Sequence, residues 1–265
     1  MSGPTRRAFL RAGLAAGAGA ALWPLVPAAV REAAAMGEAD PRFTITPLRA
    51  PGLPDVAPEV IRPLLEQVQR RTSVVVASGA PAPIGPEASD LFLHPFLYLR
   101  GDRAMKPFPE KARERLRRFL LFGGFLLVDD AEGRSGAGFD AAVRAELHAI
   151  LPDLAPVRVP RDHTVYKSFF LIDRPAGRVA TPDYLEMIEH DDRALVVLSR
   201  HDLGGAWARD SIDYVNACVP GGETQREAAY RLGVNLAMYA LCLDYKDDQV
   251  HVPFIMKNRK WRGDE

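Results

Sequence analysis

Phe125-Leu126-Leu127-Val128-Asp129-Asp130 decides the fold. Its unbroken apolar run cannot alternate between a dry and a wet face, so the strand must be covered on both sides, as in parallel sheets flanked by helices. Just before it, Gly123-Gly124 closes an amphipathic helix over residues 109–122, since glycine accepts the left-handed conformation that ends helices. Leu116, Phe119 and Leu120 face inward on that helix, while Lys111, Arg113, Arg115, Arg117 and Arg118 form a basic outer face. After the two acids comes a second helix, residues 139–151, stopped by Pro152.

Working outward, the alternation continues. Residues 36–57 form a lead-in with a short strand at 43–48, and Pro58 opens a helix carrying Val60, Ile61, Leu64, Leu65 and Val68 at helical spacing. The β-branched run at 72–77 predicts a buried strand. Residues 90–99 predict another, in which Pro95 requires an edge, a bulge or a break. Further strands are expected at 165–172 and 194–199, a long apolar helix at 228–243, and a loosely structured tail at 247–265. The expected fold class is α/β, a single layered domain with a mostly parallel sheet.

Thr5-Arg6-Arg7-Ala8-Phe9-Leu10-Arg11 matches the S/T-R-R-x-F-L-K/R export address, and an apolar run rich in Ala and Gly follows it. Residues 1–35 are expected to be a twin-arginine signal peptide, with Ala33-Ala34-Ala35 the best cleavage pattern. The partner is then the twin-arginine translocase, and the location is periplasmic or otherwise exported. An uncleaved anchor is the competing reading, since residues 12–30 approach the roughly 20 needed to span a bilayer; Pro24, Pro27 and Arg31 weigh against it. Removing residues 1–35 changes 34 basic and 34 acidic residues to 30 and 33, a net charge of −3. Such a balance argues against a nucleic-acid partner, which calls for a basic face. Cys218 and Cys242 form no metal motif; a disulfide between them is open in an oxidising compartment, although Cys242 sits in an apolar helical pattern.

Asp129 and Asp130 are the first candidate site residues, because ligands of open parallel sheets bind at the carboxyl ends of strands. The competing role is an Asx turn leading into the glycine-rich stretch that follows. His163, beside Asp162, and His201-Asp202, at the end of an apolar run, are the next candidates for acid–base work. Convergence with Asp129 or Asp130 would also offer ligands to a divalent metal, although the spacings match no metal motif and no cofactor is expected. Gly204-Gly205 either admits a ligand close to the backbone or makes a turn. Trp207 is a stacking face for a sugar ring or a core residue, and the core reading is preferred. Arg231 and Asn235 read as structural braces on the long helix, for a loop or for an acid such as Asp202.

Several blocks also resemble the DUF4159 family of bacterial proteins of unknown function. They are Leu93-His94-Pro95-Phe96-Leu97-Tyr98-Leu99-Arg100-Gly101, residues 116–130, Asp162-His163-Thr164-Val165-Tyr166, residues 202–207 and residues 231–241, in that order. The resemblance covers residues 43–246. It implies a flavodoxin-like, class I glutamine amidotransferase-like layered domain. Active amidotransferases carry a cysteine on a G-x-C-x-G turn; Cys218 lies in Asn216-Ala217-Cys218-Val219-Pro220 and lacks it. The expected function is an exported, non-catalytic binding or assembly module that meets envelope proteins or a small polar or carbohydrate ligand. The alternative is a cell-envelope hydrolase acting on carbohydrate or cell-wall material through a carboxylate/His cleft.

Overall fold

The computed structural model describes residues 42–79, 81–132, 135–180 and 182–259, from residue 242 onward by backbone alone. The export signal at residues 1–35 lies outside them. The described elements run β1 (Thr46–Pro47), α1 (Pro58–Arg71), β2 (Phe96–Gly101), α2 (Glu110–Leu121), β3 (Phe125–Asp130), α3 (Gly138–Ile150), β4 (Val157–Arg158), β5 (Glu186–His190), β6 (Arg193–Ser199), α4 (Leu203–Trp207) and α5 (Gly222–Arg259). The strands form one six-stranded sheet in the order β1-β2-β3-β6-β5-β4. β1, β2, β3 and β6 are mutually parallel, and β5 and β4 add an antiparallel edge. This is an α/β domain with a mostly parallel sheet.

β3 lies between β2 and β6 with all its residues buried, which is why its sequence is apolar on both faces. The two-residue period of a strand divides its side chains between two cores. Phe125 and Leu127 join Phe96, Tyr98, Trp207 and the inner faces of α1 and α5. Leu126 and Val128 join Leu97, Leu99 and the inner faces of α2 and α3. Asp129 therefore follows the first face and Asp130 the second.

The local signals hold at most boundaries. Pro58 opens α1, whose predicted apolar residues are all buried. Pro109 precedes α2, and Gly123 takes φ +114° just after it. Pro95 breaks the predicted strand: Leu91–Leu93 forms a single 3₁₀ turn and the strand resumes at Phe96. Two of the basic residues expected on the outer face of α2 turn back onto the domain, Arg113 to Glu146 at 2.6 Å and Arg115 to the Ala88 carbonyl at 2.7 Å.

Three expectations are corrected, and one strand was not expected at all. Residues 72–77 make only a single parallel bridge, Phe43 to Val76, and Val75 is 62% exposed. The β-branched run sits at a sheet edge, where Val74 and Val76 pack on the core and Ser73 and Val75 are exposed. Residues 165–172 are not a strand, because the side chain of Asn235 takes the bonds that a neighbouring strand would have offered. Its amide oxygen accepts from Phe170 N at 2.7 Å, and its amide nitrogen donates to Val165 O and Phe170 O. The strand that was not expected is β5, which pairs antiparallel with β6 and whose mixed polar sequence hid it. Finally, α5 continues to Arg259, past the point where a loose tail was expected.

Gly101 ends β2 directly beneath Phe139 of α3; a Cβ there would lie 2.2 Å from the ring. Gly101→Ala is expected to lower unfolding free energy by about 1–3 kcal/mol, the usual cost of overpacking. Urea titration followed by far-ultraviolet circular dichroism measures it.

Candidate functional site

The acids at the carboxyl edge of β3 separate at once. Asp129 is fully buried on the α1/α5 face, and its carboxylate accepts three hydrogen bonds. Leu203 N donates to Oδ1 at 2.8 Å, while Gly204 N and the Tyr98 hydroxyl donate to Oδ2, each at 2.7 Å. Two of these donors are unpaired amides from the first turn of α4, where a negative charge is favoured. Tyr98 and Arg100 stand two residues apart on β2, so they share a face, and the register places Arg100 beside Asp129. The Arg100 guanidinium approaches Asp129 to 3.9 Å and donates to Asp202 at 2.7 Å.

Asp202 caps the same helix. Its Oδ1 accepts from Gly205 N at 3.0 Å, and Arg178 donates to its other oxygen. It holds φ +50°, a left-handed conformation that Asp tolerates better than most residues do. Its brace is thus Arg100 with Arg178; of the two residues expected to brace a loop or an acid, Asn235 holds the loop at Val165 and Phe170, and Arg231 donates to Glu227 at 2.9 Å. The glycine pair has a specific reason. A Cβ on Gly204 would meet the Tyr98 hydroxyl at 2.4 Å, and one on Gly205 would meet the Asp202 carboxylate at 2.1 Å. Both glycines let backbone amides reach buried carboxylates, so the close approach is to the protein's own acids.

Burial first, and the Asp202 carboxylate second, raise Asp129 to about 6. The Arg100 guanidinium, the Gly204 amide and the Tyr98 hydroxyl act in the opposite sense. Burial, then the adjacent Asp129 charge, hold Tyr98 well above the ordinary tyrosine range, so it is a neutral donor. Two carboxylates and two guanidinium groups leave the cluster formally neutral.

The remaining candidates lie elsewhere. Asp130, on the other face, accepts from Glu132 N at 2.8 Å, the Asx turn weighed above. His201 is fully buried; its Nε2 meets the Pro182 carbonyl and its Nδ1 meets Ser199 Oγ at 3.3 Å. A carbonyl accepts only, so Nε2 carries the hydrogen. Burial lowers this imidazole to about 4, and it is neutral near pH 7. His163 accepts from Val165 N at 3.2 Å through Nδ1, capping a 3₁₀ turn, and packs against the Tyr239 ring at 5.5 Å. Trp207 is a core residue, 1% exposed, with its indole N–H on the Ala229 carbonyl at 3.0 Å. Cys218 is a free, buried thiol pushed up by burial; the Cys242 side chain lies outside the described residues.

The structure therefore brings together Asp129 and Asp202 and leaves Asp130, His163, the His201 ring and Trp207 in separate settings. Among the described residues, no group of three His, Cys, Asp or Glu side chains gathers as metal ligands would. Sequence reading missed Tyr98, Arg100 and Arg178. A signal was there for Arg100, because an arginine in an apolar strand must find a buried acid.

An α/β layered domain with an acid–arginine cluster at the carboxyl edge of its sheet is the class these features define. The family Domain of unknown function (DUF4159) matches residues 49–241, and the chain belongs to that family. No curated protein matches it.

Asp129→Asn turns one acceptor oxygen into a donor facing donors. A loss of about 3–5 kcal/mol is expected, as for breaking a buried charge network. Tyr98→Phe removes one bond to a buried charge, for about 1.5–3 kcal/mol. Urea unfolding should rank the two in that order.

His201 generates a pH prediction. Its folded pKa of about 4 lies below the unfolded 6.5, so its contribution is present above pH 6.5 and is lost as pH falls towards 4. At roughly 1.4 kcal/mol per pH unit this is worth about 3 kcal/mol. Asp129, shifted upward, acts in the opposite sense over an overlapping interval. The measured quantity is accordingly the difference between wild type and His201→Gln, which should be nearly flat above pH 7 and favour the variant increasingly towards pH 4.

Proposed function

We propose that this protein is an exported binding or assembly module built on a flavodoxin-like, class I glutamine amidotransferase-like scaffold, and that it turns over no substrate. The observation that carries the reading is where the lone pairs go. Asp129 and Asp202 spend their oxygens on backbone amides, Tyr98 and arginines, and both ring nitrogens of His201 are engaged inside the fold. A general base must be within reach of a substrate proton, and these groups face the interior. Cys218 lacks both a flanking glycine turn and the lowered pKa that a nucleophilic thiol requires. The seven-residue address around Arg6 and Arg7 supports export as a folded protein.

Two measurements test the reading. Replacing Arg6 and Arg7 together by Lys should leave the precursor in the cytoplasm, as fractionation and immunoblotting would read; undiminished export defeats the location. The purified chain should show no turnover of glutamine, aryl glycosides or peptidoglycan fragments. Hydrolysis that copurifies with the protein and disappears in a folded His201→Gln variant would instead establish the hydrolase.

A further inference from the structure

We infer that the crevice between the loops following β1 and β2 is a binding site for a small apolar molecule bearing an ammonium group. The chain reverses its direction of travel across the sheet there. From β1 it passes through α1, on one face, to the segment whose Val76 bridges Phe43 on the outer side of β1. It then returns to β2 on the inner side and continues through α2 on the opposite face. At such a reversal the loops leaving adjacent strands part to opposite faces and open a crevice beyond the carboxyl ends, where ligands of open α/β sheets are held.

The crevice has walls and a size. Its volume is about 430 Å³, inside the roughly 300–1,000 Å³ of small-molecule pockets. Pro51 and Leu53 come from the loop after β1, Phe108 and Ala112 from the loop after β2 and the start of α2, and Pro86 from the segment between. Backbone bonds fasten these walls to one another: Lys106 N to Pro51 O at 2.8 Å and Arg49 N to Ile84 O at 2.7 Å. Arg115 ties down the third wall through the Ala88 carbonyl. Gly52, at φ +84°, makes the turn that brings the first wall round. A site fastened in this way exists before its ligand arrives, so binding orders little of the protein.

The lining sets the ligand's chemistry. Proline rings, Leu53 and Phe108 offer an apolar interior suited to one aromatic or alicyclic ring. At the rim Arg49 is consumed by Asp55, through two hydrogen bonds of 3.0 Å. Glu87, also at the rim, is exposed and has no hydrogen bond or ion pair among the described residues. Among the described charged residues that line the crevice, Glu87 is thus the one left to a ligand, and its negative charge selects a cationic end. The site uses none of the buried acid cluster, and it is read by binding alone, so it stands or falls separately from export and turnover.

The experiment is a titration of the isotope-labelled full chain with phenethylamine, and separately with 3-phenylpropionate, followed by amide chemical shifts. Phenethylamine should move the amides of Ala50, Leu53, Ala88 and Phe108 saturably, and 3-phenylpropionate should bind at least threefold more weakly. Glu87→Gln should weaken the amine at least threefold while leaving the carboxylate unchanged. Ala88→Leu, which narrows the crevice, should abolish both at an unchanged melting temperature; if it unfolds the protein, Ala88→Val is read in its place. Shifts scattered over the surface, equal affinity for the two probes, or a Glu87→Gln variant that binds the amine as well as wild type would overturn the proposal.

Discussion

A carboxylate at the carboxyl end of an inner strand, with no access to water, is the constraint on which the surrounding architecture depends. Removing a charge from solvent costs several kcal/mol even after relaxation, and only a full set of donors makes it tolerable. Asp129 obtains that set from three parts of the chain: β2 through Tyr98, α4 through its first two amides, and the Arg100–Asp202–Arg178 chain alongside. Each donor fixes an element. The short helix α4 must begin at Leu203 because its amides have to arrive there, and Gly204 and Gly205 are small because nothing larger fits between amide and acid. From α4 the restraint passes into the core: Trp207 and Tyr230 bond across to α5 and back, and the buried Arg226 donates to Ala206 O at 2.6 Å.

The arrangement also shows why acids and imidazoles at strand ends are weak evidence of chemistry by themselves. Asp129 and Asp130 are adjacent in sequence but occupy opposite faces, so they never form a carboxylate pair. His201 and Asp202 are likewise adjacent, yet the imidazole turns to the Pro182 carbonyl and the carboxylate to the arginines. Deciding between catalysis and scaffolding requires following every lone pair to its donor. Here those lone pairs end on the protein's own backbone amides, Tyr98 and arginines, while the crevice after β1 presents an apolar surface fastened from outside.

Legibility followed the range of the interactions concerned. Where adjacent residues decide, as at Pro58, Pro109, Gly123 and the buried run of β3, the sequence located elements to within a residue or two. The strand expected at 165–172 failed because its alternative partner, the Asn235 side chain, lies about 65 residues away. β5 was invisible for the complementary reason. Its Glu186 is acceptable within a strand only because Arg144, from α3, pairs with it. In the site, Asp129 and Asp202 were found as acids at strand ends, but their partners Tyr98, Arg100 and Arg178 were not. Those pairings depend on strand register and loop path, which no local pattern encodes.

The amino-acid sequence by itself determined the layering: strands too apolar to face water, helices with one apolar stripe, and the turns that separate them. Hydrophobic periodicity and backbone stereochemistry act over a few residues and can be read along the chain. The tertiary structure alone decided what the polar residues are for. A buried carboxylate, imidazole or amide takes its role from whichever donor or acceptor packing delivers to it, and here those partners come from segments as many as 102 residues apart.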